Sequence, residues 1–266
     1  MLKAVAFDMD DTLLSINLSA FIAVFLRDEA RLLADISRKN PLSAFAGLVG
    51  ALRDLNSNVR DADDARTNRA FFDEEIERRM GIPLTDPVIA DAFEFFEREV
   101  LPHCNDPVIG ARPRAGAHQA VELLLERGMR IALLTNPSFS RSCIECRMAW
   151  GDMLDMPFEL VTCMENSTRC KPSPRYYLEA IGALGLEPEE VLMVGNDPKR
   201  DFPAPDCGIQ TAYVGIGSPD RALWSGSMEA FAAQFDLIEE RFNERHERGF
   251  SKLAQDVSRA RNPFQN

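Results

Sequence analysis

Five short apolar runs, at residues 3–7, 130–135, 158–162, 191–195 and 211–214, have the length and composition of buried strands. Apolar residues at helical spacing mark 115–127, ahead of the second run and stopped by Gly128; 138–150; and 174–184, stopped by Gly185. Residues 201–206 make a shorter piece, broken by Pro203 and Pro205. Strands alternating with helices predict an α/β fold, a parallel sheet joined by right-handed crossovers. The alternation fails once. About a hundred residues, from 15 to 113, separate the first strand from the second and contain no strand pattern. Residues 20–33, 42–52, 67–80 and 87–101 read as helices, punctuated by Asn40-Pro41, Gly81-Ile82-Pro83 and Asp86-Pro87. Phe93, Phe95 and Phe96 on the last of these read as core packing. The expected organisation is a Rossmann-like core from 1–14 and 113–226, an inserted all-helical unit at 15–112 and a C-terminal helical extension at 227–266. In that extension, Met228, Phe231, Phe235 and Ile238 predict one docked helix, and 239–248, with Glu244 four residues before Arg248, predicts a solvated one.

A net charge of −12 removes one class of function: a phosphate backbone needs a basic footprint, so no nucleic-acid partner is expected. No apolar run approaches the ~20 residues of a membrane span, and the N-terminus carries no signal-peptide pattern. The expectation is a cytoplasmic protein with no membrane partner and six reduced cysteines. Cys143 and Cys146 form a single CxxC pair without the second pair that a structural zinc site would want, and read as partly buried helix thiols.

Candidate chemistry collects where the strands end. The first runs into Asp8-Met9-Asp10-Asp11-Thr12, at the carboxyl edge where open α/β sheets hold their ligands. Crowded carboxylates raise one another's pKa unless a cation joins them, so the run asks for a divalent metal or a shared proton. Taken alone it is also readable as an acidic turn. The second strand ends in Thr135-Asn136-Pro137, a hydroxyl and a turn before a helix start that suit an anionic oxygen. After the third comes Cys170-Lys171-Pro172, where two nearby prolines hold a lysine in a rigid turn; a fixed ammonium suits a phosphoryl oxygen. The fourth ends in Gly195-Asn196-Asp197, with Asp201 four residues further on, oxygen donors suited to a hard cation such as Mg2+.

The ordered set, Asp-x-Asp-x-Thr, then Thr, then Lys-Pro, then Gly-Asn-Asp-x-x-x-Asp, resembles the haloacid dehalogenase-like hydrolase superfamily, in particular its phosphatases. The resemblance covers residues 1–14 and about 115–215, and the helical insertion looks like that superfamily's first-position cap. It implies a sheet of order 5-4-1-2-3 and a Mg2+-dependent phosphomonoester hydrolase acting on a small phosphorylated metabolite through an aspartyl-phosphate. By the same resemblance Asp8 is the nucleophile, Asp10 the general acid and then base, and Lys171 an essential cation. Thr135, Asn136 and Lys171 bind the transferring phosphoryl group. Asp8, Asp10 (through its carbonyl), Asp197 and Asp201 hold or support the metal, and the motif leaves open which of Asn196, Asp197 and Asp201 touches it. Asp11 has no fixed role and reads as a turn carboxylate. An acid two residues after the nucleophile argues against a dehalogenase, whose halide leaves without a proton. A phosphomutase on the same core and a catalytically idle binding protein are the alternatives. The absence of a Gly-rich phosphate loop argues against a P-loop nucleoside triphosphatase. Substrate identity and oligomeric state are not specified by these motifs.

Overall fold

A computed structural model describes residues 1–246. The strands are β1 (Ala4–Phe7), β2 (Leu14–Ser15), β3 (Arg112–Pro113), β4 (Arg130–Leu133), β5 (Leu160–Val161), β6 (Val191–Gly195), β7 (Gln210–Val214) and β8 (Trp224–Gly226). Six of them form one sheet in the order β5-β4-β1-β6-β7-β8, every neighbouring pair parallel. The five strands expected from the apolar runs stand in the expected order, read from the opposite edge. The correction is a sixth strand, β8, whose Trp-Ser-Gly sequence carries no apolar run. β2 and β3 pair antiparallel as a ribbon at the two ends of the long helical interval.

The central strand explains the layering. Side chains of a strand alternate between faces. Val5 and Phe7 join one apolar cluster with Leu124 and Phe231, while Ala4 and Ala6 join another with Tyr176, Tyr177 and Ile181. All four residues of β1 are buried, as expected of a strand covered on both faces.

The long interval forms α1 (Leu18–Ser37), α2 (Pro41–Ser57), α3 (Asn68–Met80) and α4 (Pro87–Phe95). Asn17, Asn40, Thr67 and Asp86 cap their N-termini through side-chain oxygens. α2 runs five residues past its expected end at 52, to a left-handed cap at Asn58. α4 gives way to a π-helical turn, Phe96–Val100, which buries Phe96 and Glu97 together. Phe93 and Phe96 pack inward as expected, but Phe95 is exposed. The core helices are α5 (Ala117–Glu126), α6 (Arg141–Trp150), α7 (Pro174–Ala183) and α8 (Met228–Ala233). Residues 201–206 form turns and the start of a 3-10 turn rather than a helix.

After α8 the chain stays helical from 235 to 246. Phe235, Ile238 and Phe242 are buried, and Asn243 accepts a hydrogen bond from Leu2 N at 2.9 Å, so the start of the segment expected to be solvated is docked on the core. Arg248 and the rest of the extension lie outside the described residues. Among the described residues no helix is long and apolar enough to cross a membrane. All six cysteines are free; Cys143 and Cys146 are both buried on α6.

Candidate active site

β1 ends at Phe7, and Asp8 N still donates to Val194 O at 2.8 Å, which ties the carboxylate to the sheet edge. The chain then turns sharply. Thr12, Leu13 and Leu14 all donate backbone N–H groups to Met9 O, and Asp11 adopts φ +56°. A short polar side chain tolerates that left-handed conformation, and Asp11 Oδ1 accepts from Ile16 N at 3.4 Å. Asp11 is thus a turn residue at the edge of a cleft of about 1070 Å3, including its open mouth, that Asp8 and Asp10 also line.

Every site residue expected from sequence lines that one cleft. Asp8 and Asp10 come from the end of β1, Thr135 and Asn136 from the end of β4, and Lys171 from the loop before α7. Asp197 and Asp201 come from the end of β6, with Asn196 beside them. The opposite wall belongs to the helices: Leu18, Ser19 and Ile22 of α1, and Leu52 and Asn56 of α2.

Lys171 is the electrostatic centre. Its side chain is 1% exposed, and Nζ donates to Asp8 Oδ1 and Asp201 Oδ1, each at 2.7 Å. Burial alone would pull its pKa down, but the charges of Asp201 and Asp8 outweigh burial, and the ammonium titrates well above the ordinary lysine value. Burial and the Asp201 charge push the Asp8 carboxyl up to about 7, with Asp10 adding to the rise and Lys171 opposing it. Asp8 Oδ2 has no hydrogen bond to another described residue, so one oxygen of this carboxylate is restrained and the other faces the cleft unpaired.

Asp201 is held from two sides: Oδ1 by Lys171, and Oδ2 by Asp197 N at 2.8 Å. Gly195 makes this possible, because a Cβ there would overlap the Asp201 carboxylate. Asp197 accepts from Lys199 N at 2.9 Å and keeps its side chain 43% exposed. Among the described residues, no group of three His, Cys, Asp or Glu side chains is arranged to hold a metal ion by itself.

Thr135 is buried and its hydroxyl has no hydrogen bond to another described residue, while its carbonyl accepts from Thr162 Oγ1 and Tyr176 OH. The Asn136 side chain is fully committed. Nδ2 donates to Asn56 Oδ1 at 2.7 Å and Ser138 Oγ at 2.6 Å, and Oδ1 accepts from Lys171 N at 3.1 Å. It therefore joins helix α2 to the lysine loop.

Three participants escaped the sequence reading. Arg147 of α6 is fully buried, and its Nη1 lies 3.0 and 2.7 Å from the two Asp10 carboxylate oxygens. The guanidinium sits 4.7 Å from the Phe139 ring centroid and 5.1 Å from that of Phe21, and Nε and Nη2 have no hydrogen-bond partner among the described residues. Its signal was an arginine on the apolar stripe Cys143, Ile144, Arg147, Met148. Asn56 entered through the added turn of α2, in a polar stretch that reads as loop. Ser138 donates to Asn56 Oδ1 at 2.8 Å. Among the arginines of the helical interval, Arg53 is exposed, Arg60 is a buried tie to Asp64, Asn68 and Thr168 O, Arg66 pairs with Asp64 and Glu74, and Arg69 pairs with Asp73.

Residues 2–205 match the family described as haloacid dehalogenase-like hydrolase. The N-acetylmuramic acid 6-phosphate phosphatase of Pseudomonas aeruginosa is 27% identical over 217 residues, 81% of this chain and 83% of that protein. The phosphoglycolate phosphatase of Chromobacterium violaceum is 26% identical over 89% of this chain and 96% of that one. Among solved structures, a HAD phosphatase from Thermococcus onnurineus shares the fold with a TM-score of 0.53 at 20% identity, covering 89% of this chain and 98% of that one.

Proposed function

The chain belongs to the haloacid dehalogenase-like hydrolase family, and we propose that it is a phosphatase that cleaves small phosphomonoesters through an aspartyl-phosphate on Asp8. One observation carries the reading most: the buried Lys171 ammonium lies between Asp8 and Asp201 at the floor of the cleft that Asp10 also faces. Lys171 restrains Oδ1 of Asp8, which leaves Oδ2 to attack phosphorus as the bond to the leaving oxygen breaks. Asp10 protonates that oxygen, then takes a proton from the water that attacks the acyl-phosphate, releasing inorganic phosphate and regenerating Asp8. The unengaged Thr135 hydroxyl donates to a phosphoryl oxygen, and Lys171 offsets its charge. Asp201 keeps Lys171 aimed, and Asn136 ties the lysine loop to α2. Arg147 is a positioning residue that holds the Asp10 side chain.

Mg2+ is compatible with this donor set. It needs hard oxygen ligands and commonly takes only one or two carboxylates, the rest being water and substrate oxygen. Asp8, the Asp10 carbonyl, and Asn196 or Asp197 would hold it, and the raised Asp8 pKa marks a carboxylate short of positive charge. When bound, the ion would screen Asp8 from the anionic substrate. Asp201, engaged on both oxygens, fits a supporting role better than direct ligation.

Helices α1 and α2 supply the cap that covers the cleft and meets the leaving group. The relatives are named for different phosphate esters, so the substrate has to be read from this chain's own cap. Six free thiols agree with a cytoplasmic setting. The test is release of inorganic phosphate from p-nitrophenyl phosphate. Turnover with Mg2+ that stops on chelation and returns with added Mg2+ supports the reading; no turnover, or turnover indifferent to chelation, contradicts it.

A further inference from the structure

A second, smaller cavity adjoins the cleft, with Leu52, Ser138 and Phe139 in the wall of both. Its free volume is about 20 Å3, room for one small group of the size of a water or an ammonium, and its lining is mostly apolar, including Phe25, Phe72, Phe93 and Phe139. Two carboxylates nonetheless open into it. Glu29 comes from α1 and is 6% exposed; Glu97 comes from the π-turn and is 8% exposed. Ser140 Oγ donates to Glu97 Oε1 at 2.6 Å. Glu29 has no hydrogen bond and no ion pair with any described residue. Arg69 is the one cation in the lining, and its Nε is already 3.0 Å from Asp73. Glu165 adds negative potential at Glu97. Two buried carboxyl groups in mostly apolar walls, with their one nearby cation already engaged, must either keep their protons or take up a cation.

Resting on the phosphatase reading, we propose that this cavity is the subsite for a primary ammonium group on the leaving alcohol, so that the preferred substrates are O-phosphorylated amino alcohols. An ammonium brings three donors and a positive charge, enough to serve both carboxylates at once. The flanking aromatic rings accept a cation on their faces. A hydroxyl in the same place brings one donor and no positive charge, so it cannot hold the pair ionised. Without a cation, burial favours the acid forms: it raises the Glu29 carboxyl well above the ordinary value and Glu97 to about 7. Binding of the ammonium takes the place of those protons.

The test compares kcat/KM for 2-aminoethyl and 3-aminopropyl phosphate with ethyl and propyl phosphate, in the full chain with Mg2+, for the wild type and Glu29→Gln. The ratio of amino to plain ester within each protein is the readout, so a general loss of activity in the variant cancels. The expected result is a ratio that falls about 10- to 100-fold in Glu29→Gln, carried by KM, as for loss of one charge-assisted hydrogen bond. Glu29→Asp, which keeps the charge, restores part of it. An equal ratio in wild type and Glu29→Gln overturns the subsite while leaving the phosphatase reading intact. Failure to hydrolyse any ester, p-nitrophenyl phosphate included, removes the phosphatase reading and the subsite with it.

Discussion

Replacing Glu97 with glutamine perturbs one buried carboxyl and little else. Its neighbours are known: Ser140 Oγ donates to it, Arg69 attracts it, and Glu165 and Glu94 repel it. Burial is the largest influence and raises its pKa from 4.5 to about 7. The sign follows from proton binding. Below pH 4.5 the group is protonated in both the folded and the unfolded chain and costs nothing. Between 4.5 and about 7 the folded protein keeps a proton that the unfolded chain releases, so stability falls as pH rises. Above about 7 the carboxylate is charged inside the protein and the full cost applies. At roughly 1.4 kcal/mol for each tenfold change in proton affinity, that cost is about 3 kcal/mol. Glutamine has the shape of the protonated acid, still accepts from Ser140 and never charges. Glu97→Gln should therefore be more stable than wild type by roughly 2–3 kcal/mol at pH 8, with the difference vanishing toward pH 4. Urea unfolding followed by circular dichroism across pH 4–8 measures it. A variant less stable than wild type by a constant amount across pH 4–8 would instead show that Glu97 is a well-partnered carboxylate.

Lys171→Met leaves Asp8 and Asp201 facing each other without a cation; phosphate release should be lost and unfolding in urea should show a deficit of about 3–5 kcal/mol. Gly195→Ala forces a methyl into the Asp201 carboxylate and should cost roughly 1–3 kcal/mol in the same assay, with a fall in kcat; unchanged kinetics would mean that Asp201 does not aim Lys171. Arg147→Met removes the group that holds Asp10. It should lower kcat about 10- to 100-fold for alkyl phosphates, whose leaving oxygen needs a proton, and much less for p-nitrophenyl phosphate. Equal losses on both would assign Arg147 a purely structural role.

The sheet and the catalytic edge were legible because their signals are local. Each buried strand is an apolar run, and each strand end carries its own polar residues, so Asp8, Thr135, Lys171 and Asp197 were readable one at a time and convincing in order. What stayed hidden depends on contacts between distant parts of the chain. Arg147 meets Asp10 across 137 positions, and neither residue announces the other. The last turn of α2 is too polar to read as helix, yet it delivers Asn56 to the cleft. Glu29 and Glu97 look like solvated helix charges until packing buries them together. Phe95 shows the reverse: an aromatic expected inside is turned out by the geometry at the end of α4.

In the proposed mechanism Asp8 carries the phosphoryl group. Acid quenching during turnover of a 32P-labelled phosphomonoester, followed by peptide mapping, tests it directly. Protein-bound label is expected on Asp8 in the wild type, and neither label nor phosphate release in a folded Asp8→Asn variant. Phosphate release by Asp8→Asn at the wild-type rate, or label on another residue, would contradict it.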